Sequence, residues 1–265
     1  MANYQAVSRE RHAMQRWQPS SGYRFAAQEA VVPLVAGELS KAMMSLPIAF
    51  IEQSGGYVPA AVLSLIPGKD LFVAESGSWA GDYIPSALRS FPFRLGNTSD
   101  GQQVLCIDED SGLISDGPEG EPFFNEDGTP VQAILDIINF LNQVEQNHQH
   151  TVTACLVLHK YHLIRPWLIN LKSDTGEQAI NGLFQIDEAA LNQLSAEALL
   201  EVRNAGALPI AYAQLFSMQH LPLLGQMIEA HGVAVAQSLQ QLATNDEGGL
   251  AFLKNSDTIG FVSLL

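Results

Sequence analysis

An α+β fold, with small antiparallel sheet elements packed against a largely helical C-terminal half, follows from a change of hydrophobic period along the 265 residues. Before residue 131 the apolar residues fall in short runs separated by clusters rich in Gly, Pro, Asp and Ser, the pattern of short strands joined by turns. After it they recur every three or four positions, the pattern of amphipathic helices.

Taken in chain order, "VPLVAGELSKAMMSLP" suits a short helix closed before Pro47. "PIAFIEQSGGYVPAAVLSLI" reads as two strands joined around Gly55 and Gly56, and "KDLFV" as a further short strand. "QQVLCIDED" reads as a strand ending in acids. Thr129, Pro130 and Gln132 form a T-x-x-Q start to a helix whose Val131, Ile134, Ile138, Leu141 and Val144 share a face. That helix is expected to end near Asn147, where the polar "QNHQH" separates it from a second helix in "TVTACLVLHKYHLI". Trp167, Ile169 and Leu171 recur at period two before the turn-rich Ser173 to Gly176, which predicts a hairpin. Asp187 and Ser195 are helix caps, Gly206 a left-handed helix end, and the sequence beyond is mainly helical with breaks at Pro222 and Gly232. The organisation expected is a basic N-terminal arm over 1–24, one α+β domain over 25–242 with a subdivision near 147 left open, and a C-terminal tail over 243–265. The apolar end "IGFVSLL" suits a short docking strand and is too short for a membrane span.

Composition narrows the function classes. The chain carries 28 acids against 13 Lys and Arg, and residues 95–159 contain no Lys or Arg and 11 acids. Such a field argues against nucleic acid, which requires clustered positive charge, and suits solubility, or attraction of a cation or of the basic arm, which has four Arg and one acid in the first 25 residues. No apolar run reaches the length of a transmembrane segment, and the N-terminus lacks the apolar core of a secretory signal. Two cysteines 49 positions apart form no redox or metal pattern. A cytoplasmic location is expected, with export by a signal-peptide-independent route left open.

Phosphate-loop, zinc-hydrolase and serine-elbow motifs are missing. The acidic loop from Asp108 nearly matches a calcium loop, but Gly112 stands where a donor belongs and Leu113 where glycine belongs. No metal and no cofactor are expected. The stretch "GSWAGDYIPSALRSFPFRL" is different in kind. Gly77 and Gly81 allow close backbone approach, Pro85 starts a short helix to about Ser90, and Pro92 ends it. Trp79, Phe91 and Phe93 can wall a pocket or fill a core. Asp82, Tyr83, Arg89 and Arg94 can bind a polar ligand, or pair with one another inside the fold.

The ordered blocks "VPLVAGELSKAMMSLPIAFIE", "KDLFVAESGSWAGDYIPSALRSFPFRL", "CIDEDSG", "EGEPFFNEDG" and "LFQIDEAALNQLSAEALLEVRNAGALPIAYAQLFSMQHLPLL" make the chain resemble the SapC family over residues 32–224. The resemblance picks out Trp79, Tyr83, Pro85, Arg89, Pro92, Phe93 and Arg94, then Asp108, Glu109, Glu121, Phe124, Asp127 and Gly128, and finally Leu208, Tyr212, Leu215 and Ser217. Gln214 stands where related sequences commonly carry histidine. The resemblance implies association with a bacterial surface layer and supplies no catalytic mechanism.

The expected function is therefore that of a soluble binding or accessory protein linked to bacterial surface assembly. It would recognise a protein or peptide partner through Trp79, Asp82, Tyr83, Arg89, Phe93 and Arg94, and assembly into a homo-oligomer is left open. The alternative is an enzyme or enzyme accessory acting on a peptide or small anionic molecule, with Asp82 or Tyr83 handling the proton and Arg89 or Arg94 orienting the anion.

Overall fold

The computed structural model describes residues 2–98, 101–173 and 176–230. The basic N-terminal segment supplies β1 (Tyr4–Ala6), α1 (Arg9–His12) and β2 (Arg16–Trp17). There follow β3 (Val31–Pro33), α2 (Leu39–Ala42), and the hairpin of β4 (Ile48–Gln53) and β5 (Gly56–Val62). The short α3 (Ser86–Arg89) leads into β6 (Phe93–Asn97), β7 (Gln103–Asp108), β8 (Ile114–Ser115) and β9 (Glu121–Pro122). One helix, α4 (Gln132–Lys160), crosses the molecule. Beyond it lie β10 (Ile164–Pro166), the hairpin of β11 (Ile169–Ser173) and β12 (Gly176–Ile180), β13 (Phe184–Ile186), α5 (Glu188–Asn192), α6 (Ala196–Asn204) and α7 (Ala207–Ser217). The fold is α+β.

A five-stranded antiparallel sheet in the order β10-β13-β4-β5-β3 carries the larger core. Its central strands pair Ile48 with Ala61 and Phe50 with Pro59, and consecutive residues 48–50 and 60–62 are all buried. Unbroken burial in place of alternation means that both faces of these strands are covered. A second sheet, β1-β7-β6, and a third, β8-β2-β9, build a smaller core around Trp17, Phe93, Ile107 and Phe123. The N-terminal residues thus pair into both smaller sheets, Tyr4 opposite Asp108 and Trp17 opposite Ile114.

The helix expected to end near Asn147 continues to Lys160, and the second expected helix is its continuation. Ile134 and Leu141 enter the smaller core, whereas Ala154, Cys155 and Leu158 enter the larger. The apolar stripe changes core in mid-helix, so the polar stretch between the two stripes reads as a break, although it contains no Pro or Gly to make one. Thr129 does not cap this helix. Its hydroxyl donates to Asp127 Oδ1 at 2.7 Å, and the cap position is Val131. Nor is "KDLFV" a strand: Asp70 Oδ1 accepts the Phe72 N–H at 2.7 Å, an Asx turn that bends the chain and leaves only an isolated bridge between Val73 and Trp79.

Local signals elsewhere hold. Asp187 accepts from the Ala190 N–H and Ser195 from the Ala198 N–H, the expected caps of α5 and α6. Gly206 takes φ +70° between α6 and α7. Residues 221–230 are helical after a 3-10 turn at Met218–His220, which places the break beside Pro222. Gly232 and the expected tail strand lie outside the described residues. Among the described residues no helix is long and apolar enough to cross a membrane.

Candidate functional site

The centre of the region is a residue that sequence reading passed over. Glu38 ends a 3-10 turn at Ala36–Glu38 and has a side chain only 6% exposed. Oε1 accepts from the Val35 N–H at 2.9 Å and the Ser86 hydroxyl at 3.0 Å. Oε2 accepts from the Ser86 N–H at 2.8 Å and the Tyr83 hydroxyl at 2.7 Å, with Arg89 Nη2 at 4.0 Å. One carboxylate therefore meets the desolvation cost of its burial with four donors, and joins the turn at 35–38 to α3. The same turn is tied to α4, because Thr151 Oγ1 accepts the Ala36 N–H at 2.8 Å. The signal in the sequence was an isolated acid inside the apolar run from Val31 to Phe50.

Burial, then the hydrogen bond to Glu38 and its charge, push the Tyr83 phenol well above its ordinary range; the Arg89 cation works in the opposite direction. Tyr83 thus keeps its proton and donates it in a hydrogen bond to Glu38. Asp82 is exposed and takes no partner among the described residues. Trp79 stacks on Phe72 with centroids 5.6 Å apart, and its indole N–H donates to the Tyr83 carbonyl at 3.0 Å, so it packs the entry turn against the larger core. Gly77, at φ +90°, accepts the Tyr23 N–H at 2.7 Å and brings residues 23–25 alongside.

That approach stacks Phe25 on Phe91, centroids 3.8 Å apart and planes 11° from parallel. Both rings line three clefts, of about 800, 350 and 420 Å³. Phe93, buried and edge-on to Trp17 at 4.9 Å, lines the wide cleft and the narrowest pocket. Arg94 lines the wide cleft with its guanidinium 3.6 Å from the centre of the Tyr4 ring. Arg89 lines the 350 Å³ pocket. Asp82, Tyr83 and Trp79 line none of the three. The structure therefore divides the six residues singled out by sequence: Arg89 and Arg94 line the clefts from exposed positions and Phe93 from a buried one, Tyr83 and Trp79 pack behind α3 against Glu38 and the larger core, and Asp82 stands apart. Phe25, Tyr23 and Phe140, which complete the walls, lie far away in sequence.

The acidic stretch receives the N-terminal segment. Arg11 forks onto Glu109 with hydrogen bonds of 2.5 and 2.7 Å, and buried Asp108 accepts the Asn3 N–H at 2.7 Å. Among the described residues no group of three or more His, Cys, Asp or Glu is arranged to hold a metal ion. At the position where related sequences carry histidine, Gln214 is fully buried; its Oε1 accepts the Ile186 N–H at 2.9 Å and its Nε2 donates to the Ile48 carbonyl at 3.3 Å. It ties α7 to β13 and β4.

Antiparallel sheets, a helix laid across two cores and clefts around a stacked aromatic pair define an α+β protein with a recessed arginine-bearing face. Residues 7–224 match the model of the SapC family, and the chain belongs to that family. No match was found among curated proteins or among solved structures.

Proposed function

We propose that this SapC-family chain is a binding or accessory protein linked to assembly of the bacterial surface, and that it recognises a protein or peptide through the face bearing Arg89, Phe93 and Arg94. The observation that carries this reading is the Phe25–Phe91 stack with an arginine on each flank, Arg94 in the wide cleft and Arg89 in the narrow pocket. Aromatic residues and arginine are enriched in the buried centres of interfaces, the rings bringing large contact area and the guanidinium directional donors. The surface-assembly setting comes from the family resemblance alone.

Ser90 lines both the wide cleft and the narrow pocket, so a photo-cross-linking residue placed there reports on either. In the cells that make the protein, the full chain should yield a discrete cross-linked product, identified by mass spectrometry and depleted in Arg89→Ala or Arg94→Ala. A product unchanged in both variants, or no product at all, would count against this face as the recognition surface.

A further inference from the structure

We infer that the 350 Å³ pocket beside α3 receives the free carboxyl end of a peptide whose last residue is large and apolar. The inference rests on the reading above, because it specifies which part of a peptide partner the Arg89 side accepts.

The walls of the pocket are apolar: Phe25, Phe91, Ile137 and Phe140 supply rings and a branched aliphatic chain. Its charged members are Arg89 and Asp136, and they are not equally available. Asp136 Oδ1 already accepts from Gln132 Nε2 at 2.8 Å. Arg89 is 43% exposed, and its one acid, Glu38, lies 4.0 Å away with oxygens that already take four hydrogen bonds. One side-chain contact to Tyr83 engages an Arg89 donor, and the remaining N–H groups of the guanidinium take no hydrogen bond among the described residues. The guanidinium lies 5.1 Å from the centre of the Phe140 ring and 5.9 Å from that of Tyr83, placed by these ring faces and by Glu38, while its remaining N–H groups are left to a ligand. A fixed guanidinium with unused donors matches a carboxylate.

Size selects the kind of carboxylate. A volume of about 350 Å³ is near the lower limit for a small-molecule site. It has room for one large side chain and the anion beside it. Within a peptide, only the last residue carries an apolar side chain and a carboxylate on one α-carbon. An internal Asp or Glu carries its charge at the tip of its own side chain and leaves the rings unfilled. A small aryl acid shares the chemistry of the peptide end, and the two are separated by experiment.

The test is ligand-detected NMR titration of the full chain with three probes: acetyl-Gly-Gly-Phe as the free acid, the same peptide as its C-terminal amide, and 3-phenylpropionate. The free acid should bind at least about tenfold more tightly than the amide, the loss expected for one charge-assisted hydrogen bond, and more tightly than phenylpropionate. Arg89→Gln should erase the preference for acid over amide. Ile137→Trp, which fills the pocket and leaves Arg89 in place, should weaken both peptides, and thermal unfolding of each variant checks that it is folded. Equal binding of acid and amide, an acid preference that survives Arg89→Gln, phenylpropionate binding as tightly as the peptide, or no binding by any probe would each overturn the inference. If cross-linking at Ser90 still depends on the arginines in that event, the broader reading stands and only the carboxyl-terminal specificity fails.

Discussion

The Tyr83 hydroxyl donates a 2.7 Å hydrogen bond to Glu38 Oε2, and that contact fixes how far α3 stands from the turn at residues 35–38. Because Ser86 donates to the same carboxylate through both its backbone N–H and its hydroxyl, Glu38 sets the position of the helix that ends in Arg89.

Removing the carboxylate leaves its buried donors unsatisfied. Glu38→Ala is expected to cost about 3 kcal/mol of unfolding free energy, and Tyr83→Phe, which deletes one hydrogen bond and leaves the carboxylate its other donors, about 1 kcal/mol. Urea unfolding of the two variants measures both. Equal losses would mean that Glu38 has no role beyond holding the phenol.

Asp70 gives the protein a pH signature of unusual sign. It is 4% exposed, Oδ1 accepts the Phe72 N–H, and Oδ2 has no hydrogen-bond partner among the described residues. Burial, against the pull of its backbone hydrogen bonds, pushes its carboxyl up to about 6. An acid whose folded pKa exceeds its unfolded one favours the folded state when protonated. Its contribution is therefore complete below about pH 4 and is lost as pH rises through about 6. Relative to wild type, Asp70→Asn should gain on the order of 2 kcal/mol between pH 4 and pH 7, read as the difference in urea-unfolding free energies. A difference that stays flat across that range would place the Asp70 charge in a solvated setting.

The continuity of α4 is testable at an exposed position. Gln146→Pro touches neither core, yet in the interior of one unbroken helix it removes a backbone hydrogen bond and clashes with the preceding turn, at a cost of about 3 kcal/mol or more. Were residues 146–150 a linker between two helices, the substitution would be nearly neutral in thermal or urea unfolding.

The elements legible in advance were those whose cause is local. The start of α3 after Pro85, the caps Asp187 and Ser195 and the left-handed Gly206 each depend on residues within a turn of one another, and the β4–β5 hairpin on a tight turn between adjacent runs. Tyr83, Arg89, Phe93 and Arg94 stood out for the same reason, as a dense local cluster of aromatic and charged types. Whether such a cluster faces solvent or core cannot be read from its own spacing, since burial depends on what the rest of the chain lays over it.

The sequence by itself determined the fold class, the local turns and caps, the acidic field and the family resemblance, all of which follow from short-range chemistry or composition. Only the tertiary structure decided that Phe25 stacks on Phe91, that Glu38 gathers donors from a helix 48 positions away, and that Arg11 reaches Glu109 across 98. It also carried α4 through a polar stretch, because two cores lie beneath its two halves. The physical reason is common to these cases: a buried charge, ring or helix face is placed by the partners that satisfy it, and those partners come from parts of the chain that meet only on folding.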